Sequence, residues 1–139
     1  MVKVMFLCTG NSCRSQMAEG FARELGIGLI EAHSAGLSPQ GVNPRAVAVM
    51  KESGIDISNQ ASKSIDDALL NTMDIVITLC DNAAESCQWT PPAIKRLHWP
   101  IEDPAKATGT EVEVMNEFRK ARDEIEERVK KFIEVIHNA

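Results

Sequence analysis

Two stretches of the chain are apolar at nearly every position: Val2 and Val4 with Met5-Phe6-Leu7, and Ile75 to Leu79. Runs of that length and continuity suit strands buried on both faces, as in a parallel sheet. Weaker strand patterns cover Leu29 to His33 and Ile94 to Trp99. Between them the period changes. Met17, Phe21 and Leu25 recur at fourfold spacing, and Val47 and Met50 follow Asn43-Pro44, an N-cap and N1 pair. Ser64 with Asp67 has the spacing of a capping box, which predicts a third helix opening at Ser64. Met115, Phe118, Ile125, Val129, Phe132 and Ile136, bridged by Ala121, mark a long C-terminal helix. Its outer face pairs Glu124 with Arg128, Glu126 with Lys130 and Glu127 with Lys131 at i,i+4 spacing, which reads as a solvated face. The alternation predicts an α/β three-layer sandwich around a short parallel sheet of about four strands.

Composition places this pattern. With 139 residues, 44% hydrophobic and 25% charged, the chain fits a single domain over residues 1–139, with one sizeable core. The net charge is −5 and no basic cluster is interleaved with aromatics, which argues against nucleic acid or an anionic membrane as partner. Any anion is therefore bound locally. No apolar run approaches the roughly 20 residues of a membrane helix, and the N-terminus runs straight into a strand pattern without a secretory signal, so a cytoplasmic location and a monomeric chain are expected. Disulfides are seldom structural in that compartment. Four cysteines there, Cys8, Cys13, Cys80 and Cys87, suggest nucleophilic, redox or metal chemistry, or inert burial. Their Cys-x4-Cys and Cys-x6-Cys spacings lack the short spacing of a closed zinc site at both ends, so no metal is expected from them.

Residues 8 to 15 read CTGNSCRS, directly after the first apolar run. In an open α/β sheet ligands bind at the carboxyl ends of the strands, where Cys8 falls. Thr9, Gly10, Asn11, Ser12, Cys13 and Arg14 would supply successive backbone N–H groups, and Gly10 and Asn11 tolerate positive φ. The following helix N-terminus adds partial positive charge. Arg14 completes an oxyanion cradle with a planar fork. The same field stabilises negative charge on the Cys8 sulfur, with Ser15 as its hydroxyl partner. Cys8 is thus the candidate nucleophile. Cys13 is read as part of the pocket wall. Asp103, before Pro104, is the candidate general acid, ahead of its neighbour Glu102. His33, His98 and His137 have no partner at metal-ligand spacing and are read as packing or surface residues.

These residues carry a resemblance. CTGNSCRSQMAEG resembles the phosphate-binding loop of the low-molecular-weight protein tyrosine phosphatase superfamily, whose pattern is Cys-x5-Arg-Ser with a later Asp-Pro, here Asp103-Pro104. The likeness continues through SAGL, GVNPRAVAVMKESGIDISNQ, DIVITLCD, TPP and HWPIEDPA, and is strongest to the thioredoxin-coupled arsenate reductases. It implies that family's fold. It also implies arsenate reduction with Cys8, Arg14, Asp103 and Ser15 at the first step and Cys80 and Cys87 as further redox cysteines, with thioredoxin as reductant. Independently of the family, Cys80 ends the second buried run on the sheet edge of Cys8, and three thiols that meet in turn permit a disulfide relay. A phosphomonoester hydrolase using Cys8, Arg14 and Asp103 alone is the alternative. Ala105 and Lys106 after Asp-Pro, where the phosphotyrosine branch places aromatics, favour a small inorganic substrate. A non-catalytic anion-binding or redox-sensing module is the third reading.

No organic cofactor is implied. Some family members carry a monovalent-cation (potassium) site beside the loop, and Asn11, Glu19 and Ser34 match three of its ligand positions. The fourth, acidic in those members, aligns with Lys63. Lys63 is read either as a tethered ammonium in the place of that cation or as a solvated residue before the helix expected at Ser64.

Overall fold

A computed structural model describes residues 1–79 and 94–138. Its elements are β1 (Val2–Leu7), α1 (Arg14–Leu25), β2 (Ile30–Ala35), α2 (Pro44–Glu52), α3 (Asp67–Leu70), β3 (Ile75–Thr78), β4 (Lys95–His98), a short 3-10 turn (Pro104–Lys106) and α4 (Glu111–His137). The strands form one parallel sheet in the order β2-β1-β3-β4. Non-consecutive neighbours require crossovers, and the helices that make them cover the sheet.

The apolar run of β1 follows from this burial. Val4 and Phe6 face a core shared with Met17, Phe21, Phe118, Ile125 and Val129, whereas Met5 and Leu7 face a second core with Leu70, Met73, Val76 and Ile94. A strand side chain alternates sides, so a strand with a core on each face is apolar throughout. Trp99 lies between Phe6 and Phe132, with ring centroids 6.0 and 5.8 Å away. The seam between α2 and α4 is ionic at its rim. Arg45 pairs with Glu111, and Arg119 and Arg122 with Glu52.

Several expected boundaries move. The third helix opens at Asp67, not Ser64, because Asp66 caps it by accepting from the amides of Ala68 and Leu69. Ser64 instead forms an isolated parallel bridge with Gly36. β2 runs past His33 to Ala35, in register with Leu7, which brings Ser34 under the site. Leu25 is 40% exposed at the end of α1, so its fourfold spacing from Phe21 extends beyond the core. α4 begins at Glu111, before its first expected apolar position, because Thr110 and Glu113 form a capping box. Asn43 caps α2 as the sequence indicates, accepting from the Arg45 amide. Along α4, the pair Lys130–Glu126 is present at 3.2 Å. Among the described residues no helix is long and apolar enough to cross a membrane.

Candidate active site

The chain leaves β1 at Leu7 and must turn within six residues into α1. The carbonyls of Thr9 to Cys13 are each held by a hydrogen-bond donor. Thr9 O accepts from the Ser38 amide at 2.9 Å, Gly10 O from Gln40 N at 3.0 Å and Ser62 Oγ at 3.2 Å, Ser12 O from Asn43 N at 3.0 Å, and Cys13 O from Met17 N at 2.9 Å. Asn11 O accepts from Gln16 Nε2 at 3.0 Å. Among the described residues the amides of Thr9 to Cys13 donate to no backbone carbonyl. A loop whose acceptors are satisfied on its outer side presents its donors to the concave side, which is the requirement for an anion cradle. Asn11 stands in the left-handed region at φ 44°, where asparagine is tolerated.

Gly36, at the end of β2, lets the loop lie this close. A Cβ there would sit 2.6 Å from Cys8 O, 2.7 Å from Thr9 O and 2.8 Å from Asn11 N. All three are backbone atoms, so no side-chain motion relieves the contact.

The loop lines a cavity of about 320 Å³ together with Gln40, Asn43, Asp103 and Lys106. Cys8 Sγ lies 2.9 Å from Ser15 Oγ, itself 2.8 Å from Asn11 Nδ2. The Arg14 guanidinium is buried and aimed by two carbonyls, Nη1 donating to Ile101 O at 3.1 Å and Leu79 O at 3.4 Å. Its Nη2 stands 3.6 Å from Asp103 Oδ2. Asp103 caps the 3-10 turn by accepting from the Ala105 amide and reaches the loop from the opposite wall, where the Cys13 thiol donates to its Oδ1 at 3.7 Å. Burial pushes the Cys13 thiol up to about 12, helped by the negative charge of Asp103 and Cys8 and opposed by Arg14. Cys13 is therefore a protonated part of the wall.

The structure thus brings together Cys8, Thr9, Gly10, Asn11, Ser12, Cys13, Arg14, Ser15 and Asp103. Glu102 faces a neighbouring groove with Lys120 and Glu117 instead. His33 pairs with Glu31, His98 with Thr78, and His137 ends α4. Cys80 and Cys87 lie outside the described residues. Leu79, immediately before Cys80, donates its amide to Leu7 O at 3.0 Å, immediately before Cys8. Gln16, Gly36, Gln60 and Ser62, which hold the loop, carried no chemical signal in the sequence.

Glu19, Ser34, Asn11 and Lys63 do converge, but their donor set does not fit a potassium ion. Glu19 Oε1 accepts from Ser34 Oγ and has Lys63 Nζ at 3.7 Å, while its Oε2 is paired with Arg23. Asn11 Oδ1 accepts from the Lys63 amide and from Gln16 Nε2. The oxygens a cation would use already have donors, two of them cationic.

The site is thus a Cys-x5-Arg loop at the carboxyl end of the first strand of an α/β fold, with a carboxyl group across the cavity. The chain belongs to the low molecular weight phosphotyrosine protein phosphatase family, whose sequence pattern matches residues 3–139. It is 54% identical over 131 residues to an arsenate reductase of Bacillus subtilis strain 168, covering 94% of each chain. It is 46% identical over 129 residues to arsenate reductase 2 of Staphylococcus saprophyticus, covering 93% of this chain and 94% of that one. Among solved structures it resembles an arsenate reductase in the phosphate binding state, with 41% identity, a TM-score of 0.82 and coverage of 98% and 99%. It also resembles a low molecular weight protein tyrosine phosphatase from T. tengcongensis, with 29% identity, a TM-score of 0.80 and coverage of 96% and 99%.

Proposed function

We propose that this enzyme reduces arsenate to arsenite and is recycled by thioredoxin. The observation that carries the reading is the cavity in which Cys8, the loop and Arg14 face Asp103. Arsenate binds with its oxygens on the loop amides and Arg14. The Cys8 thiolate attacks arsenic, an As–S bond forms, and the departing oxygen leaves as water with a proton from Asp103. Cys80 then attacks the Cys8 sulfur. The S–As electron pair passes to arsenic, which leaves as arsenite, and a Cys8–Cys80 disulfide remains. Cys87 attacks Cys80, Cys8 departs as thiolate, and thioredoxin returns the Cys80–Cys87 disulfide to dithiol. The meeting of Leu7 and Leu79 at one sheet edge supports the order Cys8 then Cys80.

The family match favours a second reading, hydrolysis of phosphate monoesters by Cys8, Arg14 and Asp103 without redox turnover. One assay run twice separates them: arsenate with a thioredoxin system, then an aryl phosphate without it. A higher kcat/KM for arsenate supports reduction. Cys80→Ser and Cys87→Ser should each stop multiple turnover with arsenate and spare aryl phosphate hydrolysis, with a Cys8–Cys80 disulfide trapped in Cys87→Ser. Parallel loss of both activities would refute the relay.

Lys63 acts in this scheme as the fixed counter-charge of Glu19. Replacing potassium by a large inert cation at constant ionic strength should leave turnover unchanged, and Lys63→Asp should create a potassium requirement by adding a carboxylate beside Glu19. Strong activation of the unmodified enzyme by potassium would refute this role.

A further inference from the structure

The hydrogen bonds behind the loop have a direction, and it ends on the nucleophile. The Lys63 backbone amide can only donate, so the Asn11 atom 2.8 Å from it is the carbonyl oxygen Oδ1. Asn11 Nδ2 is then the atom 2.8 Å from Ser15 Oγ. A hydroxyl that accepts from Asn11 keeps its single proton for its remaining partner, and that partner is Cys8 Sγ at 2.9 Å. If the Asn11 amide turned over, its oxygen would take the Ser15 proton and the sulfur would lose a donor.

Gln16 holds the same amide from the other side. Its Nε2 lies 3.0 Å from both Asn11 O and Asn11 Oδ1 and 2.9 Å from Ala61 O. Three acceptors surround that atom, so only the nitrogen end of the Gln16 amide fits there. Gln60 locks the other end, its Nε2 donating to Gln16 Oε1 at 2.8 Å and Gln16 O at 3.0 Å. Gln16, Asn11 and Ser15 are fully buried, so water does not compete for these bonds.

We infer that Gln16, anchored by Gln60, is a positioning residue that fixes the Asn11 amide and thereby aims the Ser15 proton at the Cys8 sulfur. This rests on Cys8 being the nucleophile proposed above. The strand-to-helix loop then depends for its chemistry on a side chain of the 60–63 segment that touches neither the cavity nor the sulfur.

Alkylation of Cys8 by iodoacetamide at neutral pH tests this, followed by peptide mass spectrometry on the full chain with neither oxyanion nor reductant substrate present. Ser15→Ala should slow Cys8 alkylation about tenfold, the size of one hydrogen bond to a charged group. Gln16→Met keeps the length and removes the amide, and should slow it several-fold. Adding Ser15→Ala to Gln16→Met should then cost less than about twofold more, because the aimed proton is already lost. Gln60→Met, at a half-buried position outside the loop, should give the same Ser15-dependent pattern at smaller size, and it replaces Gln16→Met if that variant does not fold. A Ser15→Ala factor that is equal with and without the Gln substitution overturns the proposal, as does alkylation of the Gln variants at the unmodified rate. A merely structural loss would lower stability without that non-additivity. Alkylation needs neither arsenate nor thioredoxin, so an arsenate assay that failed would leave this outcome standing, and the reverse.

Discussion

Cys8 and Cys13 belong to one loop, line one cavity and are equally hidden, 2% and 5% exposed. Their neighbours differ. Cys8 faces a hydroxyl 2.9 Å away, a group able to donate to sulfur, whereas Cys13 faces the Asp103 carboxylate, which can only accept. Burial alone therefore does not decide what a cysteine does. For Cys13, burial is the largest influence holding the proton and the Asp103 charge adds to it, whereas the Cys8 sulfur has a hydroxyl donor within reach. A loop of six residues thus gives two buried thiols different partners, a hydroxyl for one and a carboxylate for the other.

The sharpest break in this comparison is Cys8→Ser. A hydroxyl stays protonated at neutral pH, so the variant should lose arsenate reduction and aryl phosphate hydrolysis together while its circular dichroism and melting temperature hold. Retention of more than a few per cent of either activity would assign the nucleophile elsewhere.

Gly36→Ala should come next, because it attacks the loop and leaves both thiols in place. The added methyl meets three backbone atoms at 2.6 to 2.8 Å, so the loop has to move. Overpacking of this kind costs about 1–3 kcal/mol of stability. Urea unfolding should show that loss, and kcat/KM for arsenate should fall well beyond what the lost stability explains. Unchanged kinetics would mean that the close approach of β2 to the loop is not needed for catalysis.

What the sequence disclosed and what it hid divide along the same line. The sheet and the Cys-x5-Arg loop were legible because their signals are local: an unbroken apolar run, then Cys-x5-Arg-Ser within eight residues. The holding groups were not. Gln16 meets Gln60 across 44 residues, Asn11 meets Lys63 across 52, and Arg14 meets Ile101 across 87, with no spacing rule to connect them. Gly36 carried no such signal, and only its distance to the Cys8 carbonyl explains why a side chain is excluded. Ser64 failed as a cap because Asp66, two residues on, offers a carboxylate to the same helix terminus. The redox roles of Cys80 and Cys87 rest on sequence and family resemblance.

A smaller effect is expected from Cys13→Ser on activity. The hydroxyl still donates towards Asp103 but from a shorter bond, so the carboxyl loses some of its fixed position and none of its chemistry. Arsenate reduction should stay within about tenfold of the unmodified enzyme, since general acid catalysis as a whole is worth about 10²–10⁴. A loss as complete as that of Cys8→Ser would make Cys13 a reacting group and erase the distinction between the two thiols.

The last effect is confined to alkaline stability, and it isolates the Cys13 proton. Folding pushes this thiol from its ordinary value of 9.0 up to about 12, chiefly through burial. Between those values the folded chain keeps the proton and the unfolded chain releases it, so the folded state binds more protons and stability falls as pH rises. Below 9.0 the Cys13 contribution is flat. Cys13→Ser removes this titration and leaves every other thiol common to both proteins. The difference in unfolding free energy between the two chains should therefore be constant from neutral pH to about 9 and then shift steadily in favour of the serine variant. Denaturant unfolding at a series of pH values reads this directly. A difference that stays constant through pH of about 11 would show that Cys13 releases its proton as readily in the fold as in the open chain, and the contrast with Cys8 would then lose its physical basis.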